Sequence, residues 1–218
     1  MFSALARIEM PSGLLKCRLT MLSRGRTTVD ARRQRGQSLV EFAISSMVLL
    51  LLAMGLIDLS RAFYFSVSLE GAAREGARHG AWFNTASREN IYLDDTDVMT
   101  AIKDSLHGAG FADSQIHLMN VSGCLNPSDG NSYNNRPYPA AAFPASSQNV
   151  NVYICYTTPS GVKSGSINSH PTDNTYWLGD VNVSILMNFQ LITPLIQGMF
   201  GNGLNLAYNE HFTIQGKP

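Results

Sequence analysis

The sequence predicts an α+β protein in which a long N-terminal helix is followed by a short helix and an antiparallel sheet of about four strands. Two observations carry this prediction. From Gln37 to Phe83 the chain is apolar or compatible with a helix and contains no proline. After about residue 108 the apolar residues recur at every second position instead of every third or fourth, which is typical of strands.

The first part of the long helix is apolar enough to cross a membrane. Residues 37–59 carry charge only at Glu41 and Asp58, and these 23 residues exceed the roughly 20 that a helix needs to span a bilayer. A signal peptide has a shorter apolar core, of about 7 to 15 residues, and ends in an Ala-x-Ala-like site, which does not follow this run. We therefore expect the segment to be retained as a membrane-spanning helix.

Beyond the apolar run, small residues recur at every fourth position of the helix. A row of small residues lets another backbone approach closely, and here the partner is either a neighbouring helix or a sheet. Each glycine lowers helix propensity by about 1 kcal/mol, so packing should offset that loss. The two rows are Ala72, Gly76 and Gly80, and Ala73, Ala77 and Ala81.

A second helix is predicted over residues 97–108. Val98, Ile102 and Leu106 repeat at intervals of four, and Asp95 or Thr96 is suited to cap the N-terminus.

Four later segments alternate apolar and polar residues and are predicted to be strands: residues 115–121, 149–156, 180–190 and 204–214. The last segment loses its alternation at Glu210, where we expect a bulge. Residues 126–148 and 159–176 are rich in Asn, Ser, Pro and Gly and are predicted to be long loops. One face of the sheet needs an apolar cover, and the distal half of the long helix is the nearest candidate.

The charge distribution predicts the membrane topology. Residues 1–36 hold eight Lys or Arg and two acidic residues, a net charge of +6, so the rest of this neutral chain carries −6. Basic flanks stay on the cytoplasmic side, which puts everything after about residue 60 on the far side. Nucleic-acid binding is not expected, because the basic segment lacks helical periodicity, regularly spaced aromatic residues and a known reading motif.

The three cysteines fit this topology. Cys17 lies in the basic head, whereas Cys124 and Cys155 form one even pair in the exported part, where disulfides persist. We predict a bridge between Cys124 and Cys155, and the alternative is two unrelated thiols.

No motif in the sequence indicates an enzyme. It contains no Gly-rich phosphate loop, no HExxH, no Cys-x-x-Cys and no Gly-x-Ser-x-Gly, and its five histidines lack ligand spacing. The acidic run at residues 94–97 is explained by the preference of carboxylates for helix N-termini. We therefore predict no catalytic residue, no metal site and no cofactor.

The junction between the basic head and the apolar run resembles the cleavage region of type IV pilin-like precursors. It reads RGQSLVEF, from Arg35 to Phe42, and is followed directly by the apolar run. In that family a prepilin peptidase cuts after the glycine, which here is Gly36, and a glutamate stands fifth in the mature chain. Counting from Gln37 makes Glu41 the fifth residue.

The resemblance continues to about Ala81. Over this stretch the chain is similar to the TadE-like proteins, the pseudopilins or minor pilins of tight-adherence pili. GLIDLSRAFY and then GAAREGARHGA follow the apolar run in the family's order, although Met47 stands where such proteins often have a proline. The resemblance implies a pilin-like fold and three parts. These are a leader, residues 1–36, a membrane and assembly helix, residues 37–83, and an exported domain, residues 84–218.

Cleavage would give Glu41 a partner. An ionised carboxylate at membrane depth costs several kcal/mol unless it is paired. The new α-amino group of Gln37 lies only about 6 Å along a helix, so the amine of the same or an adjacent subunit can reach Glu41. The resemblance assigns Glu41 and Phe42 to assembly, and the alternative reading is a hydrated glutamate at the interface.

The implied partners are the prepilin peptidase, other pilin or pseudopilin subunits, the pilus assembly platform and membrane lipid. The protein would reside in the cytoplasmic membrane with its C-terminal domain outside, and enter an extracellular pilus on assembly. Met21 is an alternative start that would give a leader of sixteen residues. The rival interpretation is an uncleaved single-pass membrane protein whose outer domain binds a ligand.

Overall fold

The first element is a helix that runs far beyond the apolar stretch. The computed structural model describes residues 29–119, 124, 138–171, 173–201 and 203–216, so most of the predicted leader, Cys17 and Met21 lie outside the described residues. Helix α1 comprises Val29–Gly80, where we had predicted residues 37–83. By its internal contacts the chain divides into two units, residues 1–47 and residues 48–218.

The chain leaves α1 through a turn that begins one residue after the helix. Ala81 N still donates to Ala77 O at 3.1 Å, and Trp82 N donates to His79 O at 3.2 Å. An isolated bridge between Asn84 and Glu89 then reverses the chain.

Helix α2 comprises Asp95–Gly108 and starts two residues before the predicted position. Its cap is Asp94, whose carboxylate accepts from Asp97 N at 2.8 Å, so the expectation of Asp95 or Thr96 as the cap was wrong. The predicted apolar face is fully buried, at Val98, Ile102 and Leu106.

Within the described residues the strands form one five-stranded sheet, which confirms the predicted α+β class. The strands are β1 (Ile116–Leu118), β2 (Val150–Thr157), β3 (Lys163–Ser164), β4 (Asp180–Gln190) and β5 (Gly203–Thr213). The order is β1-β2-β4-β5, with β3 also paired to β2. All pairs are antiparallel except β1 and β2, which are parallel and make the sheet mixed.

Strand β5 has no bulge, contrary to the prediction at Glu210. Its eleven residues pair with β4 in unbroken register, and Glu210 lies opposite Val183. Because β5 is an edge strand, eight of its eleven residues are partly buried and three are exposed, and this is why its alternation is weak. A third helix, α3 (Pro194–Phe200), connects β4 to β5.

The core lies between the sheet and the helices α1 and α2. As predicted, the distal half of α1 covers one face of the sheet, where Leu69 and Ala73 join Val152, Val183 and Ile185 in one buried cluster. The other face carries a smaller cluster: Tyr138, Ala142, Tyr153 and Leu186.

A buried carboxylate fixes α2 to strand β2. Asp95 is the first residue of α2 and does not cap it. Its carboxylate accepts from Tyr156 Oη at 2.8 Å, from Ser166 Oγ at 2.6 Å and from Ile167 N at 3.2 Å. Burial, followed by the neighbouring Asp95 carboxylate, raises the pKa of Tyr156, which keeps the phenol protonated as a donor.

The predicted disulfide is present. Cys124 and Cys155 are bonded with their Cα atoms 5.1 Å apart, and the bridge joins the segment after β1 to strand β2.

Candidate functional site

The predicted processing site lies on one turn of α1 within the unit formed by residues 1–47. Gly36 has no atom within 4 Å of the position that a Cβ would occupy, apart from its own helix and neighbours. Gln37 Nε2 donates to Glu41 Oε1 at 3.2 Å, and both side chains are exposed. Gly36, Gln37 and Glu41 are therefore accessible together on the helix surface.

The stretch that follows is apolar and uncovered. Phe42 is 72% exposed. Residues Gly36–Gly80 are long and apolar enough to cross a membrane, and their most apolar 18-residue stretch has a mean hydropathy of 2.3 with none of it buried in the protein. This surface is suited to lipid or to other apolar helices. Exposed members include Leu39, Val40, Ile44, Leu49, Leu52 and Leu59.

The small residues of the distal half contact this chain's own domain. Ala72, Ala73 and Ala77 are fully buried in the core. A Cβ on Gly76 would overlap the Ile102 side chain of α2, and one on Gly80 would approach Val98 Cγ2 to 2.7 Å. The close approach that the sequence indicated is therefore made by α2 and by the sheet within one subunit.

A second carboxylate of the apolar run, Asp58, was missed as a site by the sequence analysis. Asp58 is only 2% exposed and lies at the end of the apolar run of α1. Its oxygens accept from the backbone N–H groups of Ile192, at 3.0 and 3.2 Å, and of Thr193, at 2.9 Å. Arg61 Nη1 lies 3.5 Å from Asp58 Oδ1, and the guanidinium stands over the Phe189 ring at 5.2 Å.

The signal for Asp58 was present in the sequence. A lone ionisable residue at membrane depth calls for a partner, and this rule, which we applied to Glu41, holds equally for Asp58. Its partners, however, come from a connection about 135 residues later in the chain. No periodicity in the sequence links these two places.

An apolar cavity of about 270 Å³ lies beside Asp58. It is bounded on one side by the membrane-proximal part of α1 and on the other by the connection between β4 and β5. The lining residues are Gly55, Asp58, Leu59, Ala62, Leu191, Ile196 and Leu204.

A separate, more polar surface groove lies between α2 and β1. It has a volume of about 380 Å³ and is lined in part by Asp95, Lys103 and Asn168. Among the described residues, no three His, Cys, Asp or Glu side chains are grouped so that they could hold a metal ion.

A known family model matches part of the chain. Residues 36–78 match the model of the family described as TadE-like protein, which confirms the resemblance over 43 of the 218 residues. No curated protein and no solved structure gives a significant match.

Proposed function

We propose, with the TadE-like match over residues 36–78 as the premise, that this chain is a minor pilin or pseudopilin of a tight-adherence pilus. In this proposal a prepilin peptidase removes the leader, residues 1–36, and residues 37–83 serve as the membrane and assembly helix. Residues 84–218 form the exported domain. The TadE-like family is structural and not enzymatic, which supports a subunit rather than a catalyst.

The observation that carries the proposal is where the family match begins. Its first residue is Gly36, which is the residue that would precede the cut bond. The same residue is exposed and unobstructed in α1. Glycine also weakens the helix locally, by about 1 kcal/mol relative to alanine, and so eases the local unwinding that a peptidase needs.

Glu41 is the proposed assembly residue. Its side chain already bonds one turn back to the Gln37 side chain, so the two residues share one helix face. Cleavage would convert the backbone nitrogen of Gln37 into an α-amino group, with an ordinary pKa of about 8. The resulting cation is the partner that the Glu41 carboxylate requires when it leaves water.

The exposed apolar side chains of α1, Phe42 among them, would contact lipid first and other pilin or pseudopilin subunits after extraction by the assembly platform. The helix gives the protein the features of a single-pass anchor. We propose that the domain lies outside the cytoplasmic membrane until assembly moves it into a pilus.

The test is the N-terminal sequence and intact mass of the protein from its native membranes, compared with two glycine variants. Gly36→Leu should retain the leader, because the bulky side chain replaces the residue before the cut bond. Gly71→Leu is the matched control, since Gly71 is an exposed glycine of the same helix with nothing within 4 Å of the position that a Cβ would occupy. Wild type and Gly71→Leu should begin at Gln37.

Two results would contradict the proposal. One is a wild-type chain that begins at Met1 or Met21, which would favour the uncleaved membrane protein with a ligand-binding outer domain. The other is Gly36→Leu protein that also begins at Gln37, because the cut would then not depend on the glycine.

A further inference from the structure

The connection between β4 and β5 contacts α1 within its apolar run. A Cβ placed on Gly55 would lie 3.4 Å from Ile196 Cδ1 of α3. Gly55 precedes Asp58 by three residues, which is about 4.5 Å along the helix axis. Ile196 therefore lies beside a part of α1 that a bilayer would enclose.

The composition of this connection suits such a position. Residues 181–209, between Asp180 and Glu210, contain no Asp, Glu, Lys, Arg or His. Ile192, at the start of the connection, is 56% exposed. A single exposed isoleucine is ordinary on a soluble surface, but here it adjoins the membrane-spanning segment.

Backbone polar groups of the connection also have hydrogen-bond partners within the protein, as apolar surroundings require. Irregular backbone at membrane depth is tolerated only where its polar groups have partners. The N–H groups of Ile192 and Thr193 both donate to the Asp58 carboxylate, and Gln197 Nε2 donates to Leu191 O. The two bonds from Ile192 and Thr193 also satisfy Asp58, which would otherwise be a costly buried charge.

The cavity beside Asp58 opens onto the same flank of α1. Leu59 lines it and is itself 66% exposed, so the cavity is continuous with the surface that the bilayer covers. Leu191, Ile196 and Leu204 form the opposite wall. An apolar cavity that adjoins the lipid-facing surface of a membrane helix is accessible to acyl chains.

We propose that residues 191–201 form a second membrane contact, held against α1 by Asp58, and that the cavity between them accepts an acyl chain of a membrane lipid. The protein then rests on the outer face of the bilayer through this connection as well as crossing it through α1. This goes beyond the pilin proposal and requires of it only that α1 spans the membrane.

The test uses the full-length protein in phosphatidylcholine vesicles in which part of the lipid is brominated in its acyl chains. Trp82 and Trp177, the two native tryptophans, are replaced by phenylalanine, and one tryptophan is introduced at a time. The three probes are Ile192→Trp in the connection, Leu52→Trp in the apolar run and Val162→Trp in the turn between β2 and β3. Val162 is the matched control because its side chain is 63% exposed, close to the value for Ile192.

Because an interfacial element is buried about 5–10 Å into the boundary of headgroups and acyl chains, fluorescence of Ile192→Trp should be quenched about two-fold more than that of Val162→Trp. Equal quenching of these two probes, with strong quenching of Leu52→Trp, would overturn the inference and leave the single-pass anchor intact. Absence of quenching at Leu52→Trp would instead remove the anchor, and with it both proposals.

A second measurement needs no substitution. Wild-type protein in vesicles that contain a phosphatidylcholine with a photoreactive diazirine in its acyl chain should form adducts in residues 191–204 as well as in residues 37–59. Adducts confined to α1 would overturn the inference. A cross-link from residues 191–201 to a second copy of the chain, in place of lipid, would also overturn it, because the cavity would then be a subunit contact.

Discussion

The two halves of α1 differ in what covers them. In the distal half several of the side chains facing the domain are small, and Ala72, Ala73 and Ala77 are fully buried together with the larger Leu69. In the apolar run the side chains are large, and Leu49 and Leu59 are each 66% exposed. The distal half is covered by its own chain, whereas the described residues leave the apolar run exposed, and in our proposal lipid or other subunits cover it.

This difference shows what small residues do in this helix. An alanine contributes little apolar area, so burial alone does not explain a row of them. Their value lies in distance, because the missing side chain of Gly76 is the space that Ile102 of α2 occupies. The distal half therefore stabilises the domain by close packing.

The largest expected effect is at Gly76. Gly76→Leu would force a side chain into the position of Ile102, and overpacking of this kind should lower the free energy of unfolding of the domain by about 3 kcal/mol. The measurement is chemical denaturation of the full chain in detergent micelles, followed by near-ultraviolet circular dichroism. Gly71→Leu, at an exposed position of the same helix, is the control and should raise the free energy of unfolding by up to about 1 kcal/mol, because leucine is the better helix former. If both variants behaved alike, the distal face would not be the close contact described above.

A smaller loss is expected at the junction of the two halves. Asp58→Asn keeps the size of the side chain but removes the charge that accepts from Ile192 and Thr193 and pairs with Arg61. Because hydrogen bonds to charged groups contribute about 1.5–3 kcal/mol, we expect the free energy of unfolding to fall by about 2 kcal/mol in the same experiment.

The control for Asp58 is an exposed carboxylate of the same helix. Glu70 lies 3.0 Å from Arg74 in a surface ion pair, so Glu70→Gln should cost less than about 1 kcal/mol. An Asp58→Asn variant as stable as Glu70→Gln would show that the connection does not depend on the buried carboxylate.

The parts of the structure that could be predicted are those with a local signal. Local patterns located α1, α2 and four strands, but not α3 or β3, and compartment reasoning paired Cys124 with Cys155. The parallel pairing of β1 with β2 left no local trace, because it depends on how a long connection returns to the sheet. The weak alternation of β5 was misread as a bulge, because an edge strand loses burial contrast even when its register is unbroken.

The candidate site shows the same limit. Gly36, Gln37 and Glu41 could be found because their meaning lies in their spacing along one short segment. The bond from Asp58 to Thr193 could not, since its two ends are 135 residues apart and nothing in the GLIDLSRAFY segment that contains Asp58 indicates where its partner lies. Long-range contacts of this kind follow from the complete fold and not from any window of sequence.

The smallest effect on stability is expected at Glu41, which belongs to the half that lacks a cover. Glu41→Gln changes an exposed side chain whose bond to Gln37 is worth about 0.2–0.5 kcal/mol, so the denaturation transition should stay within that range of wild type. Incorporation into filaments, measured by quantifying the protein in sheared pili, should nevertheless be lost, because the neutral amide cannot pair with the new α-amino group. Glu70→Gln should assemble normally, and N-terminal sequencing should show that both variants still begin at Gln37. Normal assembly of Glu41→Gln would mean that Glu41 is simply hydrated at the interface, and the outside cover of this half would then be lipid and apolar subunit contacts alone.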